Sequence, residues 1–410
     1  MAEPSRSGES AVARRVAVTG IGIVCSLGRG AREVWEALVE GRRGFGAPTL
    51  FDTGGVLQAP VAQTGTIEGP RSRPGTRLES FLADAADEAI GSAGLAGSDS
   101  LGGFGVALGN ANGGMLEAES WYEREVGGRI SLSAKAALRL PPSVSTDALA
   151  RRFGLRGPRL TNTTACSSSA GAIAVAAERV RDGDAEGMIA GGGDPLCRLT
   201  YSGFGALRLM DPSGCRPFDA GRKGLTLGEG AGVLVLEEWE GALRRGVRPL
   251  AEILDHGATC DAHHMTSCHP EGRGMESAMR EAIARSGVRP SEIGYVNAHG
   301  TATPVNDAAE GKAIGRVFNK ETRPGVSSTK SMYGHLLGGS GAVEAVTSVL
   351  CLLHGLLPPT AGLREPDPAL SLDLIAGAAR PAAPRYVLSN SFGFGGGNVV
   401  LLFASAREAP

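Results

Sequence analysis

Short apolar runs alternate with amphipathic stretches along this chain. "RVAVTGIGIVC" reads as a first strand that breaks at Gly28 before a helix around Val34–Glu40. "LESFLADAADEAIGSAG" has its apolar residues at helical spacing and leads into the strand-like "GFGVALGN"; a helix from Ser168 to Arg181 leads into "AEGMIAGGGD". This alternation predicts α/β layers with helix-covered sheets. Residues 43–75, rich in Gly, Pro and Thr without a period, predict a long excursion over the surface. The opening "MAEPSRSGESAVARR" lacks the apolar core of a signal peptide and reads as a frayed tail.

The plan then recurs. "MREAIARSG" followed by "IGYVNAHG" echoes "ADEAIGSAG" followed by "GFGVALGN", and "SSTKSMYGHLLGGSGAVEAV" takes the place that "TNTTACSSSAGAIAVA" holds earlier. The repeat predicts two halves, 12–255 and 256–407, with the join around 240–260. No Gly/Ser or Pro-rich linker separates them, so they should pack as one rigid unit with both sets of strand ends around a central cleft.

Composition narrows the field. The 410 residues, 42% hydrophobic and 20% charged, describe an ordinary globular chain large enough for two lobes. Forty-one basic against 43 acidic residues give a net charge of −2, which argues against a broad nucleic-acid surface and leaves room for a small basic docking patch. The reading expects no stretch of membrane-spanning apolar length. Seven scattered cysteines, an odd number, argue for a reducing cytoplasm over a disulfide framework.

Candidate chemistry gathers at a few places. Cys166 in "TNTTACSSSAGAIAVAAERV" sits just before an Ala-rich helix, where unpaired N–H groups and the helix dipole should favour a thiolate. His299 in "YVNAHGTATPVND" closes an apolar strand, where α/β sheets present side chains to a ligand, and Thr301 and Thr303 flank it. "SSTKSMYGHLLGG" supplies Lys330 and His335; the Ser/Thr-rich setting of Lys330 suggests a carboxylate partner, with Glu310 as the candidate. One Cys with two neutral His residues suits stabilisation of an enolate formed by loss of CO₂ from a β-carboxy thioester. The glycine turns of "NSFGFGGGN" carry Phe392 and Phe394 and can aim N–H groups at a thioester oxygen; an ordinary hairpin is the competing reading. "ATCDAHHMTSCHPEG" concentrates Cys and His residues but lacks a paired C-x₂-C knuckle, so a polar loop at the cleft rim, with Thr266 near a ligand, is preferred to a metal site.

Seven segments in order, "VTGIG", "TTACSSS", "RPFDAGRKG…GEGAGVLVLE", "DAHHMT", "VNAHGTATPVND", "SSTKSMYGHLLGGSGAVEA" and "NSFGFGGGN", resemble the elongating β-ketoacyl-[acyl-carrier-protein] synthases of type II fatty-acid and polyketide systems, within the thiolase superfamily. The resemblance covers Arg15 to the C-terminus. It implies a five-layered αβαβα sandwich of two duplicated halves. Cys166 is the implied acyl acceptor, and His299 and His335 the implied decarboxylating pair. Lys330 would anchor the site with Glu310. Phe394 would gate it and join the Cys166 N–H in an oxyanion hole, while Thr301 and Thr303 would hold the pantetheine arm. It also implies an acyl carrier protein as partner, no cofactor beyond the carrier's phosphopantetheine, and a homodimer or a heterodimer with a chain-length-factor-like paralogue. Asn112 stands where an aliphatic residue is common, hinting at a polar or unsaturated acyl group and at polyene or other secondary metabolism. The alternatives are a non-elongating thiolase-like acyltransferase and a scaffold or chain-length partner.

Overall fold

The computed structural model describes residues 14–55, 58–65, 75–126, 138, 140–319 and 321–406. The N-terminal tail to residue 13, and 56–57 and 66–74 of the predicted excursion, lie outside the described residues.

Two sets of five strands run in the same order. From the centre outward, the first is Val16–Cys25, Gly230–Glu238, Gly187–Asp194, Gly105–Gly109 and Arg159–Asn162; the second is Ala251–Cys260, Gly397–Ser405, Tyr386–Phe392, Ile293–Asn297 and Gly325–Ser327. Each set pairs antiparallel, antiparallel, parallel, parallel along that order. A short antiparallel contact of Val16–Val18 with Ala251–Ile253 joins them. This repeated topology is the duplication that the sequence echo predicts.

Three apolar clusters separate the layers. Helices Ser168–Asp182 and Ser340–His354 lie between the sheets in the largest cluster. Helices Arg77–Ser92 and Ser143–Phe153 cover the outer face of the first sheet, and Arg273–Ser286 and Pro304–Val317 that of the second. The architecture is therefore α, β, α, β, α. Helix Arg77–Ser92 starts at a capping box of Thr76 and Glu79, and both central helices stop at a left-handed glycine, Gly183 and Gly355.

The structure corrects two expectations. The excursion after residue 43 is not only surface: Val61 and Ala62 are buried, and Ala62 bridges to Gly228. Leu337–His354 does have the length and hydropathy of a membrane span, yet 89% of it lies inside the protein. It is rich in apolar residues because it is packed on all sides between two sheets.

Close layering depends on small residues at the contacts. A Cβ at Gly22 would lie 1.9 Å from the Ala85 carbonyl oxygen, whereas one at Gly315 would meet nothing within 4 Å. Gly22→Ala should lower stability by about 2–3 kcal/mol through overpacking, and Gly315→Ala should leave it unchanged or raise it by up to about 1 kcal/mol. Urea unfolding of both variants checks this, and equal effects would contradict the packing account.

Candidate active site

The candidate Cys and His side chains sit where a sheet hands over to a helix or turn. After strand Arg159–Asn162 the chain makes one 3₁₀ turn, Ala165–Ser167, before helix Ser168–Asp182 begins. Ala165 has φ +51°, a left-handed conformation that costs an L-residue about 1 kcal/mol or more. That sharp turn holds Cys166 at the cleft, only 6% exposed. His299 follows strand Ile293–Asn297, and His335 lies in the turn before helix Ser340–His354.

These groups converge from both halves. His335 Nε2 is 3.1 Å from Cys166 Sγ, and its Nδ1 is 2.8 Å from Ser340 Oγ. The His299 and His335 rings meet edge to face with centroids 5.3 Å apart. Lys330 Nζ is 3.1 Å from His299 Nδ1. An ammonium can only donate, so Nδ1 accepts and the Nε2 of His299 carries the hydrogen.

The partner of Lys330 is Glu344, not Glu310. Lys330 and Glu344 form a tight ion pair, both fully buried. Glu310 instead accepts from the N–H groups of His299 and Gly300, both at 2.8 Å, and from Asn390 Nδ2 at 3.1 Å. It lies on helix Pro304–Val317, outside the second sheet, and fixes the backbone of the His299 turn. Glu344 is the lone acid of a helix otherwise built of apolar residues with a few Ser, Thr and His. That was a readable signal, since a buried charge needs a partner.

Burial also reverses the thiolate expectation. It pushes the Cys166 thiol up to about 11, against the opposing pull of the Phe394 N–H and the Lys330 charge. The helix proper starts two residues later, and loss of water outweighs its dipole. Burial, reinforced by Lys330, holds His299 and His335 well below the ordinary imidazole range, so both rings are neutral. The resting pair is a thiol beside a neutral imidazole.

Two cavities meet at Cys166. One, about 300 Å³, is lined by His299, His335, Thr266, Thr301, Thr303 and Phe392 as well as the sulfur. The other, about 260 Å³, is lined by Ala111, Asn112, Thr200, Phe204, Leu207 and Leu337. Phe394 borders both, its ring stacked on Phe204 at 5.5 Å. A Cβ at Gly393 would lie 3.2 Å from the Cys166 nitrogen, so the glycine turn brings the Phe394 segment against the nucleophile turn. Thr301 and Thr303 share a hydrogen bond of 2.9 Å.

The Asn112 amide does not wait for a polar substrate. Its Nδ2 donates to the Pro195 carbonyl at 3.2 Å, and its Oδ1 accepts from Thr200 Oγ1 at 3.0 Å. The protein itself satisfies this amide, so Asn112 does not by itself imply a polar acyl chain. All seven cysteines are free thiols. Among the described residues no group of three or more His, Cys, Asp or Glu side chains is placed to hold a metal, and the His263 and His269 rings lie 5.1 Å apart.

Comparison with known proteins now bears on the chain. The family described as Beta-ketoacyl synthase, N-terminal domain, matches residues 13–242, and Beta-ketoacyl synthase, C-terminal domain, matches residues 250–364. A 3-oxoacyl-[acyl-carrier-protein] synthase 2 from Synechocystis sp. is 38% identical over 95% of this chain and 98% of its own. A solved structure titled "The ishigamide ketosynthase/chain length factor" superposes with a TM-score of 0.91 at 33% identity, covering 96% of this chain and 100% of that one. A second, titled "AntDE:AntF (apo): type II PKS acyl-carrier protein in complex with its ketosynthase bound to the hexaketide", gives a TM-score of 0.87 at 28% identity, with 96% and 100% covered.

Replacing Lys330 with Ala should cost about 3–5 kcal/mol, because it leaves the Glu344 carboxylate buried without its cation. Burial already pushes Glu344 up to about 7 with Lys330 present, and loss of the ammonium raises it further. A protonated Glu344 carries no uncompensated charge, so the deficit should be largest in alkaline buffer, shrink as the pH falls toward 7 and level off below it. Denaturation midpoints of wild type and variant across that range give the answer; a pH-independent deficit would contradict this account.

Proposed function

We propose, from the premise that this chain belongs to the beta-ketoacyl synthase family, that Cys166 carries an acyl group and extends it by decarboxylative condensation. The chain is an acyltransferase, a 3-oxoacyl-[acyl-carrier-protein] synthase of the elongating class. The observation that carries the assignment of roles is the meeting of one thiol with two neutral imidazoles, one of them contributed within 3.1 Å of the sulfur by the other half of the fold.

The two imidazoles divide the work because their other nitrogens differ. In the first half-reaction the Cys166 thiol passes its proton to His335 Nε2 as sulfur attacks the thioester carbonyl of the acyl carrier. The Ser340 hydroxyl both donates and accepts, so it suits His335 in either tautomer. The proton leaves with the carrier thiol. In the second half-reaction malonyl-carrier loses CO₂, and the electron pair moves toward its thioester oxygen. His299 Nε2–H, fixed by Lys330, and His335 Nε2–H stabilise that charge. The α-carbon then attacks the acyl-Cys166 carbonyl. The N–H groups of Cys166 and Phe394 receive the tetrahedral oxyanion, a role that the close backbone approach at Gly393 supports. Collapse returns the sulfur, which takes up one proton, and yields a 3-oxoacyl chain two carbons longer.

The larger cavity suits the pantetheine arm, with Thr266, Thr301, Thr303 and Phe392 along it; the other suits the acyl chain, with Phe394 and Phe204 between them. This reading uses no cofactor beyond the carrier's phosphopantetheine and places the chain in the cytoplasm. The partners are an acyl carrier protein and a second subunit of the same fold, a copy of this chain or a chain-length-factor-like paralogue. Likeness to those polyketide structures supports a role in secondary metabolism. The repeated strand order supports the division into two halves, with the join in the segment around strand Ala251–Cys260.

Intact-mass measurement on purified protein given acyl- and malonyl-carrier should show the acyl mass on Cys166, malonyl-dependent release of 3-oxoacyl-carrier, and no adduct in Cys166→Ala. Absence of an acyl adduct with a competent carrier would sink the proposal. Decarboxylation of malonyl-carrier by Cys166→Ala should hold its rate as the pH drops through 6.5, since both imidazoles protonate only well below that value. An acid limb centred at 6.5 would show that a water-exposed histidine does the work instead.

A further inference from the structure

One buried carboxylate outside the reacting atoms organises the wall of the smaller cavity. Asp194 ends strand Gly187–Asp194 and is fully buried. Its oxygens accept from the N–H of Ala111 at 2.9 and 3.1 Å, of Asn112 at 2.7 Å and of Gly338 at 2.7 Å. Those donors come from two loops of different halves. One follows strand Gly105–Gly109, and the other follows His335. Backbone donors hold this carboxylate, which makes their number and direction decisive.

The loops so joined carry three residues that line the cavity beside Cys166, namely Ala111, Asn112 and Leu337. Leu337 has φ +51°, a conformation that persists only where the surroundings over-determine it. Next to it, a Cβ on Gly338 would lie 2.7 Å from the Ala111 nitrogen and 2.8 Å from Asp194 Oδ2, so the two loops approach as closely as bare backbone permits. Asn112 is fixed a second time through its side chain, to Pro195 and to Thr200, and Thr200 Oγ1 in turn lies 3.1 Å from Cys197 Sγ. Thr200 brings helix Arg198–Ala206 into the same frame.

We infer that Asp194 is a positioning residue that determines which acyl chains Cys166 accepts, by holding Ala111, Asn112 and Leu337 at fixed separation around the acyl cavity, with Thr200 as the brace on its far side. This rests on Cys166 being the acyl acceptor. The frame does not touch the reacting atoms. It sets the width of an otherwise apolar slot, so it acts on discrimination between chains, where a misfit of one methylene changes rates by about tenfold or more.

The test compares wild type, Asp194→Asn and Thr200→Val. Each is given a short, a medium and a long straight-chain acyl-carrier thioester, and kcat/KM for acylation of Cys166 is followed by intact mass. Asparagine keeps one acceptor oxygen and turns an NH₂ toward backbone N–H groups. Valine keeps the shape of Thr200 and removes its hydroxyl. Both variants should shift the long-to-short ratio of kcat/KM by about tenfold, mainly through KM; loss of the Asp194 charge eases ionisation of the Cys166 thiol for every chain alike, so that effect cancels in the ratio. Equal loss for all chains, or no change in the ratio, overturns the inference, because a merely structural role lowers every rate together. If Asp194→Asn does not fold, Asp194→Glu, which keeps the charge and moves the acceptor oxygens by one methylene, decides in its place. Failure of wild type to acylate with any chain removes the reading of Cys166 and this inference with it; an unchanged ratio in acylated variants removes the inference alone.

Discussion

A single ammonium in the dry interior sets the order of this candidate active site. Lys330 is 1% exposed and has Glu344 and the ring of His299 as its polar contacts. Removing a charge from water is costly unless a counter-charge and further acceptors replace the lost hydration. Glu344 supplies the first and His299 Nδ1 the second. The requirement that keeps the lysine solvated by protein therefore also fixes the tautomer of a histidine. Burial, reinforced by the same charge, keeps both imidazoles neutral, and the charge draws the thiol toward ionisation against the larger effect of burial.

The fold makes this arrangement rigid by building it from two copies of one plan. Cys166 and His335 occupy corresponding turns, each ahead of one of the two central helices, so packing those helices together brings sulfur and imidazole into contact. Carboxylates then hold the turns by their backbone N–H groups: Glu310 at His299, and Asp194 at the loops around the smaller cavity. Asp307 does the same for Phe218 and Ala302. Buried acids that would be liabilities alone become fasteners where several N–H groups converge on them. The result is a sulfur and an imidazole held at hydrogen-bond distance where two cavities meet.

Much of this was legible in one dimension, and the limits follow from range. Alternating strand and helix periods and the glycine-marked ends predict the central elements to within a residue or two, as with Ser168–Asp182. The echo between halves predicts the shared strand order. No helix is expected from the sequence at Met115–Val126, Ser143–Phe153 or Arg198–Ala206, short segments whose state depends on their neighbours in the fold. In the site, Cys166, His299, His335 and Lys330 announce themselves by residue type and by turn settings. Partners do not, because which carboxylate meets Lys330 depends on which helix lies between the sheets.

By itself, then, the amino-acid sequence determined the set of candidate groups, their places at strand and helix ends, and the duplicated α/β plan, because periodicity and turn chemistry act locally. Only the tertiary structure decided that Glu344 pairs with Lys330 and Glu310 with backbone, that Cys166 rests as a thiol, and that Asn112 is already satisfied. Those outcomes are set by loss of water and by contacts between residues far apart in the chain.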